Sequence, residues 1–315
     1  VGTTKKGRVG HSSISYTGEY TVRRKPSYST FNIMNSQDQM GIYQELEQKG
    51  WLNYASTANA SQSGVYGKMY ELLGTFDPVT GQFAISNTNE AKAAYLRAAE
   101  YRNTDWFDIL FKYNVQHNHS ISMSGGTDKG NYYASMSIMD DKGWTDQSSV
   151  RRYTANINST YKILPNLSLN MIANASYRQQ RAPGTLGSTT NVVSGEVTRA
   201  FDINPYSYAL NTSRTLDPDV FYTRNYAPFN ILYELENNYM DLDVTNLRFQ
   251  GELKWKVFRD LELSALAASK YSGSSREHYI LDNSNQALAY RAAYTTTIRD
   301  NNSYMYTDPD IRYAL

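Results

Sequence analysis

None of the 315 residues is a cysteine, which excludes disulfide scaffolds, thiolate-ligated zinc or iron–sulfur sites and thiol nucleophiles. Neither sign of charge is in excess: 31 Lys and Arg stand against 30 Asp and Glu, a formal net charge of +1. That balance offers no electrostatic footprint for nucleic acid, and the short clusters Lys5, Lys6, Arg8 and Arg151, Arg152 read as solvated faces. No apolar run reaches the ~20 residues that a membrane helix needs, and the mean hydropathy is −0.60. A helical membrane protein is thereby excluded. A membrane β-barrel is not, because its strands alternate faces and average out to a polar chain. A G-x-S-x-G nucleophile elbow is also missing, and Gly125–Gly130 (GGTDKG) does not meet the spacing of a phosphate-binding loop. It reads as a turn between strands, with glycines supplying positive φ.

Tyrosine is abundant instead: 28 Tyr against 10 Phe and 4 Trp. A ring with a wet end suits carbohydrate or peptide contacts and membrane–water girdles better than a dry core. Several segments alternate with a period of two. Ile14, Tyr16, Gly18, Tyr20 and Val22 share one face of 13–23, and Tyr153, Ala155, Ile157, Tyr161 and Ile163 share one face of 153–163. Leu167, Leu169, Met171, Ala173, Ala175 and Tyr177 do the same in 167–178. In 247–257, Leu247, Phe249, Gly251, Leu253, Trp255 and Val257 alternate with Arg248, Gln250, Glu252, Lys254 and Lys256. Further strands are predicted at about 114–124, 131–139 and 261–271.

The connections fall into two classes. Gly126–Gly130, Leu164–Asn166 and Arg259–Asp260 are short, whereas 24–113, 140–150, 179–243 and the stretch from 272 onward are longer. Short and long strictly alternate, so every tight turn falls at one end of the sheet. Outer-membrane barrels have this parity, with tight periplasmic turns and long extracellular loops. The fold class expected is all-β: an antiparallel transmembrane barrel with Phe249 and Trp255 facing lipid. A soluble all-β domain is the pattern's alternative. Within the loops, 36–48 is a predicted helix with Ser36 as N-cap and Gly50 as stop, and 88–102 is another with Thr88 or Asn89 as cap.

Candidate sites are few. His117 and His119 have a spacing that could offer two nitrogens to a metal, but their face also carries Val115, Ile121 and Met123, so interfacial imidazoles are expected. Asp140-Asp141, Asp217-Pro218-Asp219 and Asp308-Pro309-Asp310 lack the ligand pattern of a calcium loop. Glu19, Glu252 and Glu262 are strand carboxylates that sequence cannot pair into a glycosidase site. No catalytic residue, cofactor or metal is expected. The better clue is aromatic: Trp51, Tyr54, Tyr66, Tyr70, Tyr206, Tyr208, Tyr222 and Tyr226 lie among Asn, Arg and Asp in loops expected to be extracellular. They are candidates for contact with a substrate or a partner, against the plainer reading that they pack loops together.

Particular runs add a resemblance. GTTKKGRVG at the start resembles the last plug strand of SusC/RagA-type TonB-dependent outer-membrane transporters. So, in order, do MNSQDQMGIYQELEQKG (34–50), Thr104–Asp108 (TDWFD), the HSISMSGGTDKGNYYASMSIMDDKG run and Arg151–Thr154 (RRYT). The resemblance implies that 1–10 ends a plug domain and 11–315 begins a barrel of roughly 22 strands, with about seven of them here and the rest outside this chain. The missing Met start fits an internal piece. It further implies energy-coupled import of an oligosaccharide or oligopeptide across the outer membrane. The partners would be a SusD-like surface lipoprotein as lid and the TonB complex acting through the plug, with no reaction catalysed. Two rivals stand beside it: a surface all-β glycan-binding module, and a glycan-degrading enzyme on a β scaffold.

Overall fold

The computed structural model describes residue 10 and residues 12–52, 60–190, 197–202, 204–224, 227–285, 287–288 and 313–314. One antiparallel sheet dominates, with its strands in chain order: β1 (Ser13–Arg23), β2 (Asn114–Thr127), β3 (Gly130–Asp141), β4 (Ser149–Leu164), β5 (Leu167–Pro183), β6 (Asn238–Phe258), β7 (Leu261–Ile280) and the two-residue β8 (Tyr313–Ala314). Each strand pairs only with its neighbours, and the described residues form an open wall rather than a closed barrel. The expected plug segment lies, apart from Gly10, outside the described residues.

Asp128-Lys129, Pro165-Asn166 and Arg259-Asp260 are the tight turns, all at one end of the sheet. The glycines around the first serve a different purpose from the one expected. None of Gly125, Gly126 and Gly130 has a positive φ. A Cβ on Gly130 would sit 2.7 Å from the Thr160 carbonyl oxygen, and one on Gly125 would sit 2.9 Å from the Tyr132 hydroxyl. Close approach to the Thr160 backbone, not turn geometry, requires glycine at 130, whereas at 125 only the Tyr132 side chain would have to shift. The turn itself is held by the Lys129 amide donating to Thr127 Oγ1 at 3.3 Å.

Register sorts the side chains into two faces, because residues opposite one another in a ladder project to the same side. One face carries the cross-strand rows Ile121–Met136–Ala155–Ala175–Leu247 and Met123–Ala134–Ile157–Ala173–Phe249. It is an exposed apolar band with no second sheet packed on it among the described residues. The other face carries Ser, Thr, Asn, Arg, Glu and Lys. The predicted strands are all present, but β6 and β7 reach 21 and 20 residues, well past the predicted limits. Beyond the band the alternation inverts in β6, with Asp241 and Asp243 on the band's side and Met240, Leu242 and Val244 on the other, and it fades into the polar run 272–277 of β7 while the backbone ladder continues. From Thr245 to Trp255 is ten residue steps along β6, roughly 34 Å of strand. At the usual tilt of about 40° that becomes about 25 Å, the height of an outer-membrane apolar band.

The long connections fold onto one another at the far end. Their helices are α1 (Ser36–Gln48), α2 (Ala60–Gly74), α3 (Asn89–Arg102), α4 (Trp106–Leu110), α5 (Pro205–Asn211) and α6 (Ile231–Asn237). Asn35, not Ser36, caps α1, accepting from the Asp38 amide at 2.8 Å. Ser36 is instead buried, its hydroxyl donating to the Glu100 carbonyl at 2.6 Å and accepting from the Asn103 amide at 3.0 Å, which ties α1 to the end of α3. Thr88 caps α3 as expected, and Asn103 ends it in the left-handed region at φ 47°.

The chain's apolar core sits in this loop layer, not in the sheet. Trp106, Phe107, Leu110 and Phe111 of the α4 region are buried with Tyr28, Val65, Met69 and Leu216. Buried polar bonds lock the first and third long loops together: Tyr28 Oη donates to the Ala209 carbonyl at 2.6 Å, and Trp106 Nε1 to the Ser213 carbonyl at 3.0 Å.

Two expectations follow. In the whole protein in lipid vesicles, Phe249→Lys, near mid-band, should cost about 2–4 kcal/mol in urea unfolding, and Trp255→Lys, near the turn end, about 1 kcal/mol or less. Lys254→Gln on the polar face should change little, and equal costs at all three positions would contradict the register. Phe107→Ala should cost the loop layer about 3–5 kcal/mol. Hydrogen exchange would rise in α1, α3 and α4 while the β2–β7 ladder stays protected; a ladder that loosens equally would refute a separate loop core.

Candidate functional site

Two surfaces converge at the loop end of the wall: the polar face of the sheet and the aromatic loop layer. The polar face is laced by side-chain hydrogen bonds. Ser137 and Thr154 hydroxyls lie 2.5 Å apart, Asn174 Nδ2 donates to Asn156 Oδ1 at 2.9 Å, and Thr160 Oγ1 donates to Asn170 Oδ1 at 3.1 Å. Such donors and acceptors, held by a rigid ladder, make a hydrophilic wall able to exchange bonds with water or a polar solute.

The strand carboxylates belong to this face but do not converge. Glu19 on β1 and Glu252 on β6 are five strand spacings apart, roughly 24 Å along the sheet. Glu252 and Glu262 are on adjacent strands, but Glu252 opposes Leu266, four residues from Glu262, roughly 13 Å. Both separations exceed the roughly 5–9.5 Å of a glycosidase pair. Glu252 is instead 3.3 Å from Lys254 Nζ.

The aromatic candidates divide by burial. Tyr66 and Tyr222 are 4% and 9% exposed, members of the loop core, and burial pushes both phenols above their ordinary pKa. Tyr222 Oη accepts from the Asp217 amide at 2.8 Å. These two pack the layer and present almost no surface, a correction that follows from helix α2 and the 222–224 strand facing each other. Tyr208 is half-buried, edge-on to Trp106 at 5.2 Å. Trp51, Tyr70 and Tyr206 reach the surface, 70%, 40% and 37% exposed. Lys49 Nζ lies 5.0 Å over the Trp51 ring, and Tyr70 Oη donates to Glu47 Oε1 at 2.8 Å, so the end of α1 holds both. Tyr206 rises from the aromatic cluster, stacked near Trp144 and edge-on to Phe111. Tyr54 and Tyr226 lie outside the described residues.

The histidine pair is on the apolar face, in its upper rows. His119 Nδ1 is 2.6 Å from Tyr16 Oη, and His117 Nε2 is 3.7 Å from Asp140 Oδ2. Among the described residues no group of three His, Asp or Glu could hold a metal ion. Asp140 and Asp141 point to opposite faces, Asp140 toward Arg151 at 3.1 Å and Asp141 toward Arg23 at 3.0 Å. Asp217 pairs with Arg102 at 3.4 Å and accepts from the Asp219 amide at 3.0 Å, so that run is a turn. Asp308 and Asp310 lie outside the described residues.

Two features were missed in the sequence. Glu234 is 2% exposed and accepts from Asn238 Nδ2 at 3.0 Å and the Asn285 amide at 2.6 Å, with His278 Nε2 2.6 Å from Asn238 Oδ1. This polar knot joins α6 to the outer ends of β6 and β7; nothing in its spacing announces it. A row of charges on the apolar side, Asp140, Arg151, Arg181, Asp241 and Asp243, was also missed. It falls partly within a segment that hydropathy alone assigns to loops.

No family model matches the chain. The TonB-dependent receptor SusC of Bacteroides thetaiotaomicron is 27% identical over 183 residues, 54% of this chain and 18% of that receptor. The TonB-dependent receptor P26 of Formosa agariphila is 29% identical over 105 residues, 31% of this chain and 10% of that receptor. The matched stretches thus cover less than a fifth of the length of either receptor. Among solved structures, the RagAB peptide importer matches in its closed-closed state with a TM-score of 0.61 and 16% identity, over 90% of this chain and 30% of that one. Its open-open state matches with a TM-score of 0.59 and 18% identity, over 88% and 30%. The structural likeness carries the fold, a stretch of antiparallel barrel wall, and the sequence likeness points to TonB-dependent receptors. Wall register and loop parity agree with both comparisons: over part of its length this chain is similar to SusC/RagA-type TonB-dependent receptor barrels.

Proposed function

We propose that this segment forms part of the wall and the outer loop layer of an active outer-membrane importer for oligosaccharides or oligopeptides. A SusD-like lipoprotein closes over the loops as a lid, and TonB drives the cycle through a plug. The observation that carries the reading is the two-sided wall. A glycan-binding module would bury its apolar strand faces against a second sheet, whereas here the band stays uncovered among the described residues and matches a bilayer in height. The separated strand carboxylates likewise argue against the glycan-degrading alternative.

Mechanistically, the wall contributes a water-compatible surface, and the loop layer contributes a stiff platform with Trp51, Tyr70 and Tyr206 exposed upon it. Import by such a device depends on differential affinity: cargo must bind the lidded state better than the open one. A folded loop core suits that task because it presents its aromatic groups with little conformational freedom left to lose.

The test is uptake. Cells carrying the whole receptor should accumulate labelled oligosaccharide or oligopeptide of one class, and lose that uptake when TonB is deleted. Trp51→Ala with Tyr206→Ala should weaken cargo or lid binding about three- to tenfold, the worth of about one aromatic contact, with heat-modifiable barrel assembly intact. A receptor that leaves the cell without detergent, or uptake indifferent to TonB, would end the reading.

A further inference from the structure

At the outer end of the wall the two faces treat their arginines differently. On the band's side each arginine of β4 and β5 is matched: Arg151 Nε donates to Asp140 at 3.1 Å, and Arg181 grips Asp241 at 2.7 and 2.6 Å. On the polar face, Arg152 and Arg178 stand directly opposite each other in the register of β4 and β5, within the row Asn118–Met139–Arg152–Arg178–Val244. Neither has an ion-pair or hydrogen-bond partner among the described residues, and Arg178 Nε is enclosed without an acceptor. In register, the nearest carboxylate on this face is Asp141. It is fully engaged, with Arg23 at 3.0 Å, Asn114 Nδ2 at 2.6 Å and the Gly143 amide at 2.9 Å. Glu19 is three strand spacings from Arg152, roughly 14 Å.

The imbalance extends beyond the pair. Arg248 and Lys270 oppose each other on β6 and β7, and Arg276 stands farther out on β7. From the row of Leu242 to the row of Gln250, the polar face of β4 to β7 carries these five cations and no carboxylate. Like charges directly opposite in a ladder destabilise it, and a surface lined by one sign of charge concentrates ions of the other. The segment before β1 does not supply that charge here. It arrives at the tight-turn end, where the Gly10 amide donates to the Gly126 carbonyl at 3.1 Å. Arg152 is twelve residues along β4 from Leu164 at that end, roughly 40 Å of strand.

We infer that the Arg152–Arg178 pair is a cargo subsite for an acidic oligosaccharide, holding one carboxylate or sulfate group of the sugar between its two guanidinium groups. Planar guanidinium groups side by side take an oxyanion in charge-assisted, bidentate hydrogen bonds. The rows just inward supply hydroxyl and amide groups, first Thr154, Ser176 and Asn246 and then Asn156 and Asn174, which can exchange hydrogen bonds with sugar hydroxyls. An acidic peptide is less well served, because β4 and β5 are paired along both edges and offer its main chain no strand to join. The inference rests on the import reading proposed above and narrows its cargo.

The test uses the whole receptor, purified in detergent with its bound partners. It is mixed with carboxylated oligosaccharides cut from pectin, with sulfated galactan oligosaccharides, with the carboxyl-reduced and desulfated forms of each, and with hexaglutamate. Species retained after gel filtration are identified by mass spectrometry. At least one acidic pool should be retained about tenfold or more over its neutralised form, less so as salt is raised, and the pool retained tells carboxylate from sulfate. Arg152→Gln and Arg178→Gln should each cut that retention about tenfold or more, while Arg151→Gln, on the opposite face of the same strand, leaves it intact. If a Gln variant fails to assemble as a heat-modifiable barrel, the acidic-to-neutral ratio of the unaltered receptor still decides. Equal or better retention of the neutral forms, retention of hexaglutamate in place of the sugars, no retention of any acidic pool, or retention unmoved by both variants would overturn the inference. TonB-dependent uptake of some other cargo would then leave the import reading standing, whereas uptake of nothing would end both.

Discussion

A peptide group in hydrocarbon has no water to bond, and each one left unpaired costs several kcal/mol. That constraint organises this chain. It accounts for β2 to β7 running as one uninterrupted antiparallel meander, with bulges only near the tight turns, between Lys162 and Leu164 and between Lys256 and Phe258. It also accounts for the alternation of side chains, since a ladder saturated on both edges leaves only the two faces free to differ. One face then meets lipid and the other meets water, and a single-residue slip would exchange them.

Outside the bilayer the constraint lifts and a different one takes over. Long connections need a reason to be ordered, and here it is mutual burial: Phe107 is fully enclosed, and Tyr28, Trp106 and Thr104 spend their polar atoms on backbone carbonyls of the 209–216 segment. The chain therefore has two architectures with little shared interior, a wall stabilised by its ladder and a loop layer stabilised by an aromatic core. Tyr28 has its phenol pushed up in pKa by burial, a mark of how dry that layer is. The outer ends of β6 and β7 connect the two through the Glu234–Asn238–His278 knot.

The upper edge of the apolar band is where these regimes meet, and its chemistry is mixed. Tyr16 with His119 and Tyr153 with Tyr177 present rings whose polar ends find partners, while Arg151 and Arg181 hold their charge against carboxylates on neighbouring strands. Pairing lets charged groups sit close to hydrocarbon at small cost, and their side chains can reach outward to water.

Strand positions, tight turns and loop parity were legible in the sequence because each depends on local rules: period-two hydropathy for the band, and two polar residues or Pro-Asn for the turns. The α3 cap at Thr88 was legible for the same reason. What escaped depends on contacts between residues far apart in the chain. In the outer half of β6 the apolar residues Met240, Leu242 and Val244 switch to the face opposite the band, and outer β7 is polar on both faces, so neither continues the band's pattern; only cross-strand pairing reveals them as strand. Ser36 looks like a cap until Glu100 is brought against it. Tyr66 and Tyr222 are indistinguishable in sequence from Trp51 and Tyr206, because a tyrosine in a polar loop carries the same local signature whether it is buried or displayed. The sequence by itself determined the two faces of the wall and which end carries the loops. Only the tertiary structure decided which aromatics became core, where the charged row formed and how far the strands ran, because burial and cross-strand pairing are properties of neighbours in space.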